Sequence, residues 1–350
     1  CDGGSLCGGA ASNIILVQAD NVTIRGLTLD GDNPNLHSGK VVGGADIDAR
    51  NGIITNHAAG VYNNLVVDHV TVKNIYLRGV YASSYGTFNF HDNTVQNVRG
   101  EAASIAMFNF GGSGIFANNH VSDANDAISA NWSMGTKFLN NEVTNSSSGV
   151  HTDNNGGFGG VADLIQGNTV RHCQKDGYGI FVFVPYVAPV VRDNEVHGCT
   201  VGLAAFGQAN PVTTLFTDNT VSGASASSSP PGSFGIIVST DQIGWGANNV
   251  SALFTDNVIQ HFDTGVYVEQ HCELFSLYFP TDCSGPATLA TATLHNNVIN
   301  DNHTGANGML DTVVHAENNW WGCRKGPNQP GCDTAIGTVL YTPWLTRPPR

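Results

Sequence analysis

The sequence has little positive charge and no long apolar segment. Its 350 residues include only 14 Lys and Arg against 28 Asp and Glu, which gives a formal net charge of −14. Because no basic run offsets this excess, the composition argues against a nucleic-acid partner and against binding to an anionic membrane surface. A polyanionic substrate would also be repelled unless basic groups cluster locally. No run of about 18 apolar residues occurs, so we expect no transmembrane segment.

Cysteine spacing typical of a zinc site is also missing. No CxxC-type pair occurs, so disulfides in an oxidising compartment are the better interpretation. The disulfide candidates are Cys1, Cys7, Cys173, Cys199, Cys272, Cys283, Cys323 and Cys332. No secretion signal is visible, and the chain begins at Cys1 and ends in LTRPPR. We therefore expect a mature chain, or an excised part of a larger multidomain surface protein, in a secreted or cell-surface location.

What the sequence does contain is a repeat. Segments such as DNTVQNV, NNEVTNS and DNEVHGC recur, and in most of them Val or Ile follows an asparagine by two residues. The recurring asparagines are Asn93, Asn119, Asn141, Asn168, Asn194, Asn219, Asn257, Asn297 and Asn319. They lie 22 to 27 residues apart, except for two intervals of 38 and 40. Since asparagine tolerates turn conformations and can bond a stacked asparagine through its amide, we expect these residues to form a column.

A second, strand-like motif follows in most repeats, with a glycine before an apolar residue, as in RGVYAS, SGVHTD and TGVYVE. The residues expected to point inward are Val80, Val150, Ile180, Leu203, Ile236 and Val266. Short strands at this spacing, separated by Asn/Gly turns, predict a coil in which each repeat is one rung stacked on the next. The leucine pattern of leucine-rich repeats is missing, and a propeller needs longer blades.

These rungs resemble the right-handed parallel β-helix repeats of the pectin-lyase-like superfamily, in its secreted bacterial type, over about residues 20–320. The resemblance implies an all-β fold, a single right-handed parallel β-helix (solenoid) of roughly ten rungs with capped ends. It does not imply one reaction, because this fold carries lyases, hydrolases, epimerases, tailspikes and non-catalytic modules. The ending ENNWWGCRKGPNQPGC resembles the closing segment of secreted bacterial β-helix domains, which implies a cap.

We expect one β-helix domain over 1–350. Its predicted parts are an N-terminal cap (1–20), rungs (21–319) with insertions at 31–50, 225–233 and 270–292, and a C-terminal cap and exit (320–350). The insertion at 270–292 is expected to carry a Cys272–Cys283 link. Cys173 and Cys199 each follow the asparagine of their own repeat by five residues. Two stacked thiols and a disulfide both fit that position, and we favour the disulfide.

The outward residues of the second motif form two predicted columns. The first reads Ile54, Tyr81, Ala106, Ser129, His151, Phe181, Ala204, Ile237 and Tyr267, and the second reads Asn56, Ser83, Phe108, Asn131, Asp153, Phe183, Phe206, Ser239 and Glu269. Aromatic rings beside amides and carboxylates suit sugar binding. The alternative is that loops cover these rings, which would then form a small satellite core and not a binding surface. The predicted substrate-binding residues are Tyr81, Phe108, Asn131, Trp132, Phe181, Phe183 and Arg78.

The catalytic candidates are His151, Asp153, Lys175 and Asp176, near the middle of the chain. A histidine two residues from a carboxylate on one strand face suits acid–base chemistry, but a polar strand with no catalytic role has the same pattern. Asp46 and Asp48 are candidate calcium ligands, because carboxylate oxygens are hard ligands. The motifs of the hydrolase branch, Gly-His-Gly and Arg-Ile-Lys, are missing, and HTDNN and NDAI are only fragments of that pattern.

Two functions remain open at this point. The first is an extracellular carbohydrate-binding or adhesive module with a polysaccharide or glycan as its partner. The alternative is a polysaccharide lyase or glycoside hydrolase that acts on the outward face of the central rungs. A trimeric tailspike-like depolymerase is a weaker third possibility.

Overall fold

The computed structural model describes residues 13–83, 85–154, 161–224, 232–241, 247–270, 288–309 and 312–349. The first strands are β1 (Asn13–Val17), β2 (Thr23–Arg25), β3 (Thr28–Asp30), β4 (Val41–Val42), β5 (Ala45–Asp46), β6 (Ala49–Thr55), β7 (Leu65–Asp68), β8 (Thr71–Ser83), β9 (Thr87–His91), β10 (Thr94–Val98), β11 (Ile105–Phe110), β12 (Ser113–Ala117), β13 (His120–Ala124), β14 (Asp126–Ser133), β15 (Lys137–Leu139), β16 (Glu142–Thr144) and β17 (Ser148–Asn154).

The remaining strands are β18 (Leu164–Gln166), β19 (Thr169–Arg171), β20 (Tyr178–Val182), β21 (Val190–Arg192), β22 (Glu195–His197), β23 (Val201–Phe206), β24 (Thr214–Thr217), β25 (Thr220–Ser222), β26 (Phe234–Ser239), β27 (Val250–Thr255), β28 (Val258–Gln260), β29 (Thr264–Glu269), β30 (Ala290–His295), β31 (Val298–Asn300), β32 (Thr304–Gly308), β33 (Val313–His315), β34 (Ala335–Gly337) and β35 (Val339–Leu340). In the part of the chain that the structure describes, no helix is long and apolar enough to span a membrane.

The described residues form two compact units. The first extends through Leu164 and includes Asn168–Gln174, and the second comprises Ile165–Gly167 and the chain from Lys175 onward. The assignment of residues 1–350 to one domain, with its predicted caps and insertions, stays a prediction.

In the first unit, each rung contributes three strands that pair in parallel with the corresponding strands of the next rung. Strand β9 pairs with β12 and β12 with β15, β10 pairs with β13 and β13 with β16, and β11 pairs with β14 and β14 with β17. This is the architecture of a parallel β-helix, in which each rung covers the open edges of its neighbour.

The second unit repeats the same arrangement. Strands β21, β24, β27 and β30 pair in succession, as do β22, β25, β28 and β31, and β23, β26, β29 and β32. Pairing continues past the predicted last rung, because β34 pairs with β32 and β35 with β33. The prediction of an all-β parallel β-helix is confirmed.

The corners of the rungs depend on residues that accept a left-handed backbone. The residue before each repeated asparagine has a positive φ, and these residues are Asp92, Asn118, Asn140, Gly167, Asp193, Asp218, Asp256, Asn296 and Asn318. Asp, Asn and Gly adopt this conformation at the lowest energy. The DN, NN and GN pairs of the repeat therefore specify where the chain turns.

The repeated asparagines form a buried ladder in each unit. In the first unit, the Asn119 side-chain oxygen accepts hydrogen bonds from Asn93 N (3.1 Å) and Asn93 Nδ2 (3.0 Å), while Asn119 Nδ2 donates to Phe90 O (2.9 Å) and Asn141 Oδ1 (2.9 Å). The same pattern joins the asparagines of the second unit, Asn194, Asn219, Asn257, Asn297 and Asn319. The predicted asparagine column is confirmed.

The interior is apolar and closely packed. The residues predicted to point inward are all buried, and phenylalanine rings stack inside the coil, for example Phe116 on Phe138 at 5.4 Å between centroids. Close packing between rungs requires the glycine of the second motif. A Cβ at Gly79 would lie 2.4 Å from Ala106 O and 2.8 Å from Val95 Cγ1, so a larger residue would separate the rungs.

The predicted disulfides and insertions are only partly within the described residues. Cys323 and Cys332 form a disulfide, and Cys173 and Cys199 are each disulfide-bonded. Cys1, Cys7, Cys272 and Cys283 lie outside the described residues, as do 225–231 and 271–287. In the predicted insertion at 31–50, β4 and β5 form a short antiparallel hairpin. Trp321, in the segment predicted as the C-terminal cap, is completely buried.

We predict that Asn119→Ala lowers the free energy of unfolding by about 3 kcal/mol or more. The substitution removes four buried hydrogen bonds and leaves the Asn93 N–H groups and the Phe90 carbonyl without these partners. Denaturant unfolding measures the change. The matched control is Asn140→Gly, at an exposed corner where φ is 53°, and it should change stability by less than about 1 kcal/mol. Equal effects of the two substitutions would contradict the ladder's role.

We also predict that stability falls as Asp333 ionises. Burial raises the pKa of Asp333 to about 6 from 3.8, while a hydrogen bond from Asn302 Nδ2 (2.8 Å) acts in the opposite direction. The folded state therefore binds the proton more tightly than the unfolded chain does. This contribution is complete below the unfolded pKa and is lost as the pH rises through the folded pKa, by up to about 3 kcal/mol.

The variant Asp333→Asn stays neutral and keeps an amide oxygen for Asn302. In urea unfolding between about pH 4 and pH 8, the stability of the variant relative to the wild type should increase with pH. Other buried acids affect both proteins equally and cancel in this difference. A difference that does not change with pH would contradict the prediction.

Candidate functional site

The register of the second-motif strands fixes which side chains are neighbours on the outer face of the first unit. Phe108 pairs with Tyr81 on one side and with Ser129 on the other, and Ser129 pairs with His151. Phe108 therefore belongs to the first outward column, where the sequence analysis placed Ala106, and Phe110 takes the place given to Phe108 in the second column. That part of the alignment was wrong by two residues, in a rung where Ala106 stands in place of the glycine that most other rungs carry.

His151 lies in a network of polar side chains contributed by β14 and β17. Its Nε2 lies 2.5 Å from Asp126 Oδ2, and its Nδ1 lies 3.4 Å from Ser129 Oγ. Ser129 Oγ in turn donates to Asn131 Oδ1 at 2.9 Å, and Ser148 Oγ donates to Asp126 Oδ1 at 2.8 Å. The His151 side chain is only 8% exposed and that of Asp126 16%. The Asp126 carboxylate therefore orients the His151 imidazole from the side that is partly exposed to solvent.

Asp153 lies at a β-bulge. The β14–β17 register shifts between Ala130 and Ser133, and Trp132, with φ of 55°, donates its backbone N–H to Asp153 Oδ1. Burial raises the pKa of Asp153 well above its usual value; the Trp132 N–H opposes this, and the nearby Asp163 carboxylate raises it further. Asp153 therefore holds its proton more strongly than an exposed aspartate does.

Asp163 is held by several donors. Its Oδ1 accepts hydrogen bonds from Ser133 Oγ (2.9 Å), Gly135 N (3.0 Å) and Thr136 N (2.7 Å), and its Oδ2 accepts one from Thr152 Oγ1. Four donors stabilise the charged form of a buried carboxylate. The two neighbouring acids thus have different environments: Asp163 accepts hydrogen bonds from four donors, whereas burial raises the pKa of Asp153.

Aromatic side chains line the same face of the first unit. The rings of Tyr81 and Phe108 stack at 4.8 Å, the Arg78 guanidinium lies 5.0 Å from the Phe108 centroid, and the rings of Phe110 and Trp132 stack at 6.4 Å. Phe108 is buried between its neighbours, whereas the other four are partly exposed. We call Arg78, Tyr81, Phe110, Asn131 and Trp132 the aromatic face; Phe108 supports it from below.

Arg78 is fixed at one end of the aromatic face. Its Nη1 donates to Ala103 O (2.5 Å) and Leu77 O (3.1 Å). Burial lowers the pKa of this guanidinium, whereas Tyr81 and Asp126 raise it. The side chain stays positively charged at neutral pH, because arginine keeps its proton in proteins.

Four of the predicted catalytic and substrate-binding residues lie in the second unit. Lys175 is exposed, and Asp176 is partly exposed with φ of 61°. Phe183 is buried in an apolar cluster with Phe206 and Tyr267, and Phe181 packs against that cluster. These contacts match the alternative in which the two phenylalanines belong to a satellite core. Sugar binding by Phe181 and Phe183 stays a prediction. The catalytic role of Lys175 and Asp176 also stays a prediction.

Asp46 and Asp48 brace the loop that precedes β6. Asp48 is buried and accepts backbone N–H groups from Ser38 at 2.9 Å and Asn33 at 3.0 Å. Asp46 accepts a hydrogen bond from Ser38 Oγ at 2.6 Å, and Ser38 and His37 hold its pKa below the usual value. The oxygens thus already have donors within the protein, and calcium at this position stays a hypothesis.

Three contributors to this site were not among the predicted residues. Asp126 was not singled out, although the register that pairs Ser129 with His151 also places Asp126 at the start of the neighbouring strand. Phe110 was missed through the alignment error at Ala106 and Phe108. Asp163 left no signal in the sequence, because its contacts depend on the path of a loop.

The comparisons with known proteins support the fold. Residues 51–221 match the family described as a right handed beta helix region, a range that includes the strands of the aromatic face and His151. Among curated proteins, none matches the chain. The parallel rungs and asparagine ladders give the chain an all-β, right-handed parallel β-helix fold.

Proposed function

We propose that the protein binds a polysaccharide on the aromatic face of the first unit. The observation that carries the proposal is the placement of partly exposed aromatic rings on successive rungs beside Asn131 and Arg78. Rungs repeat about every 4.8 Å, and a ring offers a flat apolar surface on which a sugar can lie. Amide and guanidinium groups beside the rings suit sugar hydroxyls.

The charge of the chain favours a neutral glycan. A formal net charge of −14 repels polyuronates and sulfated polymers, and Arg78 is the one cation of the aromatic face. Its guanidinium already donates to Ala103 O and Leu77 O. We therefore propose that a neutral polysaccharide is bound more tightly than an acidic one.

A secreted or cell-surface location is part of the same proposal. The disulfide-bonded cysteines of both units are typical of an oxidising compartment. A polysaccharide partner is available there. Adhesion as part of a larger multidomain surface protein would follow from the same binding.

We predict that Trp132→Asn and Tyr81→Ala each weaken retention on the bound polysaccharide by about fivefold or more, equivalent to about 1 kcal/mol. Asparagine keeps the left-handed backbone at position 132, so the loss reports the missing indole. Affinity electrophoresis in gels containing neutral or acidic polysaccharides measures retention. Tyr62→Ala, a partly exposed tyrosine outside the aromatic face, serves as the control.

Retention that is unchanged in both variants would overturn the proposed site. The Tyr62→Ala control should match the wild type in every gel. Stronger retention on polyuronates than on neutral polymers would overturn the preference for neutral glycans while leaving the site itself intact.

A second candidate function is cleavage of the bound polysaccharide. It is favoured by one observation, the pair of acid–base groups on β17. His151 is oriented by Asp126, and Asp153, about 7 Å along the same strand, has a raised pKa. Sites that carry out acid and base steps place one protonated and one unprotonated group beside the substrate. Here Asp153 would donate a proton to the oxygen that leaves as the glycosidic bond breaks. His151 would accept a proton from the attacking water in a hydrolase, or from the carbon beside the uronate carboxyl in a lyase.

If the protein cleaves its ligand, His151→Ala and Asp153→Asn should each lower the rate by about 10²-fold or more. Asparagine at 153 keeps an oxygen for the Trp132 N–H but cannot act as the acid. Reducing-end release and the absorbance of unsaturated uronates separate a hydrolase from a lyase. His120→Asn, which alters an exposed histidine–glutamate pair, is the matched control. Binding without product release would reject this candidate and leave the binding proposal standing.

A further inference from the structure

A compact cluster of histidine and aspartate side chains lies at the corner that follows β7 and β9, in the first unit. The chain reads Asp-His at 68–69 and His-Asp at 91–92, and Asp68 and His91 are directly paired between rungs. The register therefore brings four potential metal ligands to one corner of adjacent rungs. We propose that this corner binds a zinc-type divalent transition-metal ion through Asp68, His69 and Asp92.

The ligand atoms are already close together. One ligand atom each from Asp68, His69 and Asp92 lies within 4.8 Å of the others. Ligands about 2.0–2.2 Å from a tetrahedral zinc ion are separated by a little over 3 Å, so only small side-chain movements would be needed. A mixed set of imidazole nitrogen and carboxylate oxygen suits zinc and its first-row neighbours better than calcium, which takes oxygen ligands.

Asp68 is the central ligand of the cluster. Its side chain is only 2% exposed, and its Oδ2 is held by Arg25 Nε at 2.6 Å. This contact leaves Oδ1 facing the histidines, with His69 Nδ1 in contact and His91 Nδ1 at 3.4 Å. A fixed carboxylate with one oxygen held by an outer partner is a common arrangement around bound metals.

His91 connects the two carboxylates. Its Nδ1 lies 2.7 Å from Asp92 Oδ2 as well as 3.4 Å from Asp68 Oδ1, so it is positioned to orient both. The outer side of the cluster is open, because His69 is 69% exposed and Asp92 37%. An ion can therefore enter from solvent, and water can complete its coordination.

Backbone conformation contributes to the arrangement. His69 and Asp92 both have a positive φ, 52° and 55°, at equivalent corners of successive rungs. Asparagine adopts this conformation readily, so His69→Asn and Asp92→Asn remove the ligands while retaining the corner. The site is separate in its residues from the aromatic face, and its test does not depend on glycan binding.

Isothermal titration of the metal-free full chain with zinc chloride near neutral pH tests the proposal. We expect one zinc ion per chain, and His69→Asn and Asp92→Asn should each weaken binding by about tenfold or more. His120→Asn removes an exposed histidine that pairs with a single glutamate and should bind zinc as the wild type does. Zinc should raise the unfolding temperature of the wild type and of His120→Asn more than that of His69→Asn.

Cobalt gives a second readout, since its visible absorption reports a mixed nitrogen–oxygen site. No zinc uptake by the wild type would overturn the proposal. Equal uptake by the wild type and both corner variants would also overturn it, because it would place the bound ion on other histidines. Circular dichroism of each variant separates loss of the ligand from loss of the fold.

Discussion

The stacked side-chain amides at the turn of each rung are the interaction on which the rest of the structure depends. An asparagine within a ladder, such as Asn119, accepts the backbone and side-chain N–H groups of one neighbour and donates to the next, so it fixes the alignment of three rungs at once. A buried amide that lost these partners would destabilise the coil by several kcal/mol. The left-handed residue before each asparagine sets the corner, and the following Val or Ile fills the interior.

The same alignment determines what each outer face can do. A shift of one residue would turn His151 and Asp153 inward and expose Val150, so the ladder's register is also the register of the site. Because the rungs are in register, aromatic rings that are about 25 residues apart in sequence become neighbours in space. The metal-ligand corner has the same origin, since an Asp-His pair and a His-Asp pair meet only when β7 and β9 align.

Much of this fold could be predicted from the sequence because its determinants are local and repeated. The asparagine column, the inward apolar residues and the parallel coil all follow from spacing alone. The outer face could be predicted only in part. The alignment failed at Ala106 and Phe108, and Phe110 was therefore not identified as an outward residue.

Other features of the site depend on loops rather than on the repeat. The four donors to Asp163 come from a turn and a neighbouring strand, and no periodic signal marks them. Whether an outward ring is open or covered also depends on what packs over it. Tyr81 and Trp132 remain partly exposed, whereas Phe183 lies in an apolar cluster, although all three were predicted to bind substrate in the same way.

The central functional claim is that the partly exposed rings and amide of the first unit form a surface for sugar. A crystal structure with an oligosaccharide of the most strongly retained polymer tests it most directly. We expect sugar rings lying against Tyr81 and Trp132, with hydroxyls bonded to Asn131. Sugar bound elsewhere, with this face unoccupied, would contradict the proposed site.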